Sequence, residues 1–162
     1  GMETLKTNLN QGVYIRKGTR FVLQNSIIAE YPQGGLMVCN KTRPVLLSNA
    51  GSAFKYNLVH SDSVSRTFSW DKDYAVFGDL VLRDFALNTT NKNTLIEDAA
   101  TFKLKAMYAA NGPDLTLAEG SPALTGANFD GPDFTTFFTA VTYRGAFGST
   151  NWAAASNWVL WK

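Results

Sequence analysis

Short runs of β-branched, aliphatic and aromatic residues, each bounded by glycine, proline or polar residues, recur along the first half of the chain. Such runs favour β-strands, because branched and aromatic side chains pack well on a pleated surface. Tyr31-Pro32-Gln33-Gly34-Gly35 predicts a turn, since proline restrains φ and glycine accepts positive φ. The predicted strands cover residues 13–16, 21–28, 35–40, 44–49 and 53–60, and two more are predicted at 68–70 and 74–77.

The connections between the first strands are short and contain no amphipathic helix, which excludes alternating β-α-β winding for residues 13–61. An antiparallel β-sandwich and a solenoid of parallel strands both fit this pattern. Asn25 and Asn57 each precede aliphatic residues at a similar place in the strand rhythm. In a solenoid, an asparagine at a turn can stack on the next turn and satisfy backbone groups that the turn leaves open. This repeat favours the solenoid.

Residues 62–119 interrupt the rhythm, and we interpret them as an insertion packed beside the coils rather than as a separate domain. One short helix is predicted near residues 95–109, because the apolar positions there follow the helical spacing. Thr94 and Glu97 fit a capping box at its start, and Gly112-Pro113 follows its end. The apolar positions on this spacing are Ile96, Ala99, Ala100, Leu104 and Met107.

The C-terminal quarter combines glycines and small residues with large aromatic side chains and few charges. A segment of this composition must lie against an apolar surface, and its glycines favour tight turns over a helix. It contains Gly120-Ser121-Pro122-Ala123-Leu124-Thr125-Gly126-Ala127, a group of phenylalanines, Tyr143-Arg144-Gly145-Ala146-Phe147-Gly148 and three tryptophans. These motifs resemble the C-terminal end of secreted or cell-surface bacterial proteins that are built as right-handed parallel β-helices.

The strand pattern and the resemblance together predict one all-β domain over residues 1–162, a short right-handed parallel β-helix with one helix-containing insertion. An antiparallel β-sandwich is the alternative. Within the β-helix, we expect a leader, the coils, the insertion and an aromatic C-terminal cap, at residues 1–12, 13–61, 62–119 and 120–162. The resemblance implies that longer relatives are extracellular or attached to the cell surface. This chain itself shows no signal peptide and no apolar run of the about 18 residues that span a membrane.

Composition narrows the classes of function. Charged residues make up 17% of the 162 residues, the net charge is +2, and no cluster of Lys or Arg follows the chain, so nucleic acid is not an expected partner. A weakly charged surface rich in Asn, Thr and Ser is typical of extracellular β-proteins. Cys39 is the only cysteine, which excludes an internal disulfide and a multi-cysteine zinc site. It lies in an apolar run, and we interpret it as a small buried apolar residue.

The sequence shows no catalytic constellation. Asp71, Asp73, Asp79 and Asp84 form the most acidic stretch, but their spacing matches no EF-hand calcium site, and we interpret them as solvated turn acids. Pairing of Cys39 with the only histidine would require the fold to bring two distant positions together. No glycosidase signature, P-loop, Rossmann or nucleophile-elbow pattern is present. We therefore predict no catalytic residue, no cofactor and no metal site.

Trp152, Trp158 and Trp161 are candidate sugar-stacking rings, although a cover over the last coil is the interpretation we favour for them. The leading functional hypothesis is a non-catalytic exported or cell-surface module that binds a glycan. The alternatives are a degenerate polysaccharide lyase or glycoside hydrolase of the β-helix type, and a purely structural cap of a longer solenoid. A solenoid that starts at residue 13 would present unpaired strand edges, so we also predict a homodimer through that N-terminal end.

Overall fold

The computed structural model describes residues 10–109, 112–131 and 134–153. Within these residues the chain forms short strands joined by tight turns, with two short α-helices, α1 (Thr42–Leu47) and α2 (Leu80–Leu87). Single 3-10 helices lie at Val64–Arg66, Ala99–Phe102 and Pro122–Leu124. The strands are β1 (Gln11–Ile15), β2 (Val22–Gln24), β3 (Ile27–Tyr31), β4 (Gly34–Cys39), β5 (Ala53–Lys55), β6 (Leu58–Ser61), β7 (Phe68–Lys72), β8 (Ala75–Gly78), β9 (Thr94–Leu95), β10 (Leu104–Ala106) and β11 (Asp114–Leu117).

The strands pair into four small sheets, with the orders β1-β4-β7-β8, β2-β5, β3-β6-β9 and β10-β11. Five strand pairs are parallel, whereas β7-β8 and β10-β11 are antiparallel. The parallel partners come from successive segments of the chain: Ile27 aligns with Leu58, and Leu58 aligns with Thr94. Each of the three sheets that contain parallel pairs therefore brings together segments that are distant in sequence.

The predicted fold class, an all-β right-handed parallel β-helix, is wrong. The described part of the chain contains neither a solenoid nor a closed sheet; it forms small sheets of mixed strand direction with a few short helices. One reason is the two-residue turn at Asp73 and Tyr74, both with positive φ, which returns β8 antiparallel to β7. The alternative, an antiparallel β-sandwich, is wrong as well, because most strand pairs are parallel.

Two elements have a different type from the one predicted. Most of residues 44–49, predicted as a strand, lie in helix α1, where Pro44 occupies the first turn and removes no intrahelical hydrogen bond. Residues 95–109, predicted as a helix, contain the end of β9, a 3-10 helix and β10. Lys103 has a φ of 49°, in the left-handed region, and this conformation ends the 3-10 helix before β10 begins.

Helix α2 lies where the sequence analysis assigned no element. Asp79 caps its N-terminus by accepting the Leu82 N–H at 3.1 Å. The helix buries Leu82 and Ala86 in the main apolar core, together with side chains from the first three sheets and α1. A second core, around Phe102, packs the 3-10 helices Ala99–Phe102 and Pro122–Leu124 against the third and fourth sheets. The main core consists of Ile28, Leu36, Val38, Leu46, Phe54, Val59, Phe68, Leu82 and Ala86.

A fully buried asparagine, Asn57, joins two successive turns between the second and third sheets. Its Nδ2 donates to the Leu23 carbonyl at 3.0 Å, and its Oδ1 accepts the Ser26 N–H at 2.9 Å. The amide thus satisfies the backbone on both sides of Asn25, as expected for an asparagine at this turn. The register differs by one position from the predicted repeat, because Asn57 aligns with Ser26 and not with Asn25.

Asn93 repeats this arrangement one turn further along. Its Oδ1 accepts the Asn57 N–H at 2.9 Å, and its Nδ2 donates to the carbonyls of Phe54 and Ala86, both at 2.7 Å. We call Asn57 and Asn93 the asparagine ladder. The residues before the aligned positions 26, 57 and 93 have a left-handed conformation; they are Asn25, Tyr56 and Lys92. At Asn25 and Tyr56 this conformation divides the predicted strands 21–28 and 53–60, each into two shorter strands.

In the described ranges, neither α-helix is long and apolar enough to cross a membrane.

Replacement of Asn57 by alanine is expected to lower the free energy of unfolding by roughly 2–4 kcal/mol, because each polar group left unsatisfied in a buried turn costs about 1–3 kcal/mol. The exposed Thr89 provides the control, and Thr89→Ala is expected to change stability by about 0.5 kcal/mol or less. Urea unfolding of both variants measures the difference. Equal unfolding midpoints for the two variants would show that the ladder does not stabilise these turns.

Candidate functional site

An open cleft of about 640 Å³ lies between the β2–β3 turn and the C-terminal segment. Its volume is within the range of about 300–1,000 Å³ that is usual for small-molecule sites. The side chains that line it are mostly apolar, with several aromatic rings, and we call it the aromatic cleft. The lining comprises Gln24, Asn25, Ser26, Ile27, Ala29, Tyr31, Leu104, Met107, Leu115, Phe129, Phe134, Phe138, Gly145, Ala146 and Phe147.

Asn25 holds the C-terminal segment in place beside β3. Its Oδ1 accepts the Asn128 N–H at 2.9 Å, and its Nδ2 donates to the Asn128 carbonyl at 2.8 Å. The Asn25 carbonyl accepts the Gly145 N–H at 2.6 Å. Gly145 has a φ of +93°, and a Cβ atom there would lie 3.0 Å from Ile27 Cδ1, so this close approach requires glycine. Asn25 therefore anchors the C-terminal segment at one side of the cleft.

The outer wall of the cleft consists of phenylalanines that contact one another by their edges. Phe129 and Phe134 have ring centroids 5.1 Å apart, and Phe134 and Phe138 have centroids 5.4 Å apart, both in T-shaped arrangements. Phe138 is 48% exposed although it is a large apolar side chain. In edge-to-face packing the planes of neighbouring rings are steeply inclined to each other, so the ring faces of the cluster point in more than one direction.

The polar side of the cleft comes from the β2–β3 turn. Gln24, Asn25 and Ser26 contribute amide and hydroxyl groups, and Tyr31 adds a phenol from the end of β3. No described residue in the lining carries a charge at neutral pH. The cleft can therefore hold a ligand that stacks on aromatic rings and forms hydrogen bonds with uncharged side chains.

Of the three tryptophans predicted as stacking rings, the structure describes Trp152. Its ring is 52% exposed and lies 5.1 Å from the ring of Phe147, which lines the aromatic cleft. Trp152 Nε1 donates to the Ala146 carbonyl at 2.8 Å, which holds the ring next to two residues of the cleft lining, Ala146 and Phe147. Trp158 and Trp161 lie outside the described residues, so the predicted three-ring platform stays a prediction. The cleft phenylalanines were not predicted as site residues, although their clustering in the sequence was visible.

The acidic stretch only partly matches the prediction of solvated turn acids. Asp73 and Asp84 are exposed, as predicted, but Asp71 and Asp79 are buried. Asp71 accepts hydrogen bonds from the Tyr14 hydroxyl and from the Tyr74 N–H. Burial of the phenol, together with its hydrogen bond to Asp71, raises the pKa of Tyr14 to about 12. Asp71 therefore connects two strands of the first sheet.

Asp79 pairs with Arg43, a cation that no sequence pattern placed near the acidic stretch. The guanidinium donates to both carboxylate oxygens, at 2.5 and 3.0 Å, and stacks 4.8 Å from the ring centroid of Trp70. Burial raises the pKa of the Asp79 carboxyl, but the hydrogen bonds from Arg43 and from the α2 backbone outweigh it, and the pKa falls below its usual value. The pair fastens α1 to α2, which is a structural role.

Cys39 is not the buried apolar residue that the sequence predicted. Cys39 is half-buried at the end of β4. Its Sγ accepts the backbone N–H of Lys17 at 3.2 Å and lies 3.5 Å from Thr42 Oγ1. Burial raises the pKa of the thiol, but hydrogen bonds from Thr42 and from the backbone amides of Lys17 and Lys41 outweigh this and lower the pKa to about 7. A substantial fraction is therefore thiolate at neutral pH.

The structure does not bring Cys39 and His60 together. His60 is buried in the third sheet, where its Nδ1 accepts the Glu30 N–H at 3.1 Å, whereas Cys39 belongs to the first sheet. Among the described residues, no three His, Cys, Asp or Glu side chains are grouped in a way that suits a metal ion. Neither a Cys–His catalytic pair nor a metal centre is therefore visible in that part of the chain.

Comparison with known proteins gives no relative for this chain: no protein-family model, no curated protein and no solved structure matches it. The resemblance of its C-terminal motifs to β-helix proteins accordingly stays a prediction.

The reaction of Cys39 with a small alkylating reagent is expected to rise with pH around a midpoint near 7, because the thiolate is the reactive form. Thr42→Val removes the hydroxyl hydrogen bond and is expected to move the midpoint upward. Thr89→Val, at an exposed site, is the matched control and leaves the midpoint unchanged. Alkylation rates measured by mass spectrometry over a pH series test this, and a midpoint near that of a free thiol, about 8.5, would contradict it.

Proposed function

We propose that this protein is a non-catalytic module that binds a glycan in the aromatic cleft, outside the cell or at the cell surface. The extracellular location is supported by the resemblance of the motifs at 120–127 and 143–148 to exported proteins and by the weakly charged composition. The choice of ligand is supported by the chemistry of the cleft, and the choice of site by the hydrogen bonds through which Asn25 anchors the C-terminal segment beside it.

The observation that supports the proposal is that aromatic rings and neutral hydrogen-bonding groups line one open cleft. A sugar ring has an apolar face of C–H groups and a rim of hydroxyls. Phe134 and Phe138 supply aromatic surface for the first, and the Gln24 amide supplies donors and an acceptor for the second. The Ser26 hydroxyl donates to the Gln24 carbonyl and supplies a further acceptor. Trp152 contacts the ring of Phe147 and adds aromatic surface next to the cleft. Stacking and neutral hydrogen bonds are the chemistry of a binding site.

Phe134→Ala is expected to weaken glycan binding about tenfold, since loss of a central stacking ring costs roughly 1.4 kcal/mol or more. Trp152→Ala, beside Phe147, is expected to have a smaller effect. Phe77→Ala is the control for loss of an exposed ring outside the cleft, because Phe77, on β8, is 54% exposed and Trp152 is 52% exposed. A glycan array finds the ligand, and calorimetry with the best-bound oligosaccharide compares the variants.

Each result separates this proposal from its alternatives. Specific binding without turnover supports it. Release of unsaturated or shortened sugars would favour the degenerate lyase or hydrolase. Absence of binding to every glycan would favour the purely structural cap, and an equal loss of affinity in Phe134→Ala and Phe77→Ala would move the site elsewhere.

We further propose that two chains form a homodimer through the edge formed by β1 and β2. Both strands lie at the end of their sheets, with one strand neighbour each among the described residues. Val22, on β2, is a large apolar side chain with 44% exposure. Open strand edges with apolar side chains favour pairing with another chain.

Light scattering at micromolar concentration is expected to give twice the mass of the 17.8 kDa chain. Val22→Lys places a charge on this edge and is expected to shift the protein to the monomer. Val81→Lys makes the same change at an exposed valine of α2 and leaves the dimer intact. A wild-type monomer at all concentrations would refute the dimer, and dissociation by both variants would place the contact elsewhere.

A further inference from the structure

A second cavity, of about 270 Å³, shares Gln24 with the aromatic cleft. It lies between the end of β5 and the C-terminal segment near Gly131, and we call it the lysine pocket. Its volume is below the range of about 300–1,000 Å³ that is usual for a complete small-molecule site, so it suits one substituent of a larger ligand. The lining comprises Gln24, Ala53, Lys55, Tyr56, Asn128, Asp130 and Gly131.

The pairing of β2 with β5 explains why the two cavities adjoin. Gln24 aligns with Lys55 in this parallel pair, and the Lys55 carbonyl accepts the Asn25 N–H at 3.3 Å. Aligned residues on neighbouring strands point to the same face of a sheet, so the Gln24 and Lys55 side chains lie side by side. The step from the uncharged lining of the cleft to Lys55 is therefore one strand wide, about 4.8 Å.

Lys55 differs from the other lysines that the structure describes. It is half-buried, whereas the other six are exposed. Within the described part of the chain, its ammonium has no hydrogen bond and no ion pair. A cation that is partly removed from water without a counter-ion favours the binding of an anion beside it.

Two further charged side chains lie near Lys55. Lys92 places its ammonium 5.8 Å from the ring centroid of Tyr56, which lines the lysine pocket. Asp130 also lines the pocket, but it is exposed, and its carboxylate accepts a hydrogen bond from Asn128 Nδ2 at 2.8 Å. Two ammonium groups thus lie near one carboxylate that already has a hydrogen-bond donor, and the balance of charge is positive.

We propose that the lysine pocket binds an anionic substituent, a carboxylate or a sulfate ester, of a glycan whose adjoining units occupy the aromatic cleft. The inference rests on the proposed function and names its ligand class, an acidic oligosaccharide. Lys55 is the counter-ion, and a charge-assisted hydrogen bond of this kind is stronger than a neutral one. The Gln24 amide, which lines both cavities, bonds a hydroxyl of the unit between them.

A glycan array of neutral, uronate-bearing and sulfated oligosaccharides tests the ligand class and separates the two anions. The wild-type protein is expected to give its strongest signals with acidic members. Calorimetry then compares the best-bound acidic oligosaccharide with its counterpart that lacks the charged group. The acidic form is expected to bind about tenfold more tightly, which corresponds to about 1.4 kcal/mol. This ratio is expected to fall as salt is added, because salt screens charges that water can reach.

Substitutions at Lys55 separate its charge from its packing. Lys55→Met removes the ammonium but keeps most of the aliphatic stem, and is expected to bring the ratio close to one. Lys55→Arg keeps the charge and is expected to keep a preference for the acidic form. Lys41→Met is the matched control and leaves the ratio unchanged, because Lys41 is exposed and lines neither cavity. Phe134→Ala, in the cleft alone, is expected to weaken both forms by the same factor.

The array and the salt series need no variant, so the inference can fail on the wild-type protein alone. Strongest binding to neutral glycans would overturn it while the glycan-binding function stands. A ratio unchanged in Lys55→Met, or lowered equally in Lys41→Met, would do the same. Absence of binding to every glycan would overturn both the inference and the proposed function.

Discussion

The amide of Asn57 is the interaction on which the arrangement of the parallel strands depends. Strands of three to five residues present many backbone groups at their ends, and a buried group without a partner is costly. Asn57 bonds Leu23 and Ser26 in the preceding turn and is bonded by Asn93 in the next one. The turns at residues 23–26, 57 and 93 are thereby held in register. Strand pairing alone would leave backbone groups of these buried turns without hydrogen-bond partners.

The same turn positions the candidate site. Because Asn57 satisfies the backbone on either side of Asn25, the Asn25 side chain and carbonyl are directed to the C-terminal segment, at Asn128 and Gly145. The C-terminal segment has little regular structure, so these contacts, together with the bonds from Arg144 to the carbonyls of Pro122 and Thr125, determine where its phenylalanines lie. The aromatic cleft is the space between this segment and β3.

Two kinds of polar chemistry occupy different parts of the molecule. The first sheet has charged and ionisable contacts: Asp71 with Tyr14, and Cys39 with backbone amides. The raised pKa of Tyr14 and the lowered pKa of Cys39 arise from local burial and hydrogen bonds near the ends of β1 and β4. The aromatic cleft, by contrast, presents neutral groups. This division explains why the perturbed ionisable groups do not point to the cleft.

The sequence by itself determined where several short strands lie, such as β4 and β7, because short apolar runs bounded by turn residues favour a pleated, half-buried surface. It also indicated an asparagine at a buried turn and an aromatic C-terminal segment with a packing partner. It did not determine the fold class, since the apolar run at 44–49 suits a strand or a helix until its neighbours are known. Arg43 with Asp79, and Asn25 with Asn128, are brought together only by the tertiary structure, because local periodicity carries no information about partners that are distant in sequence.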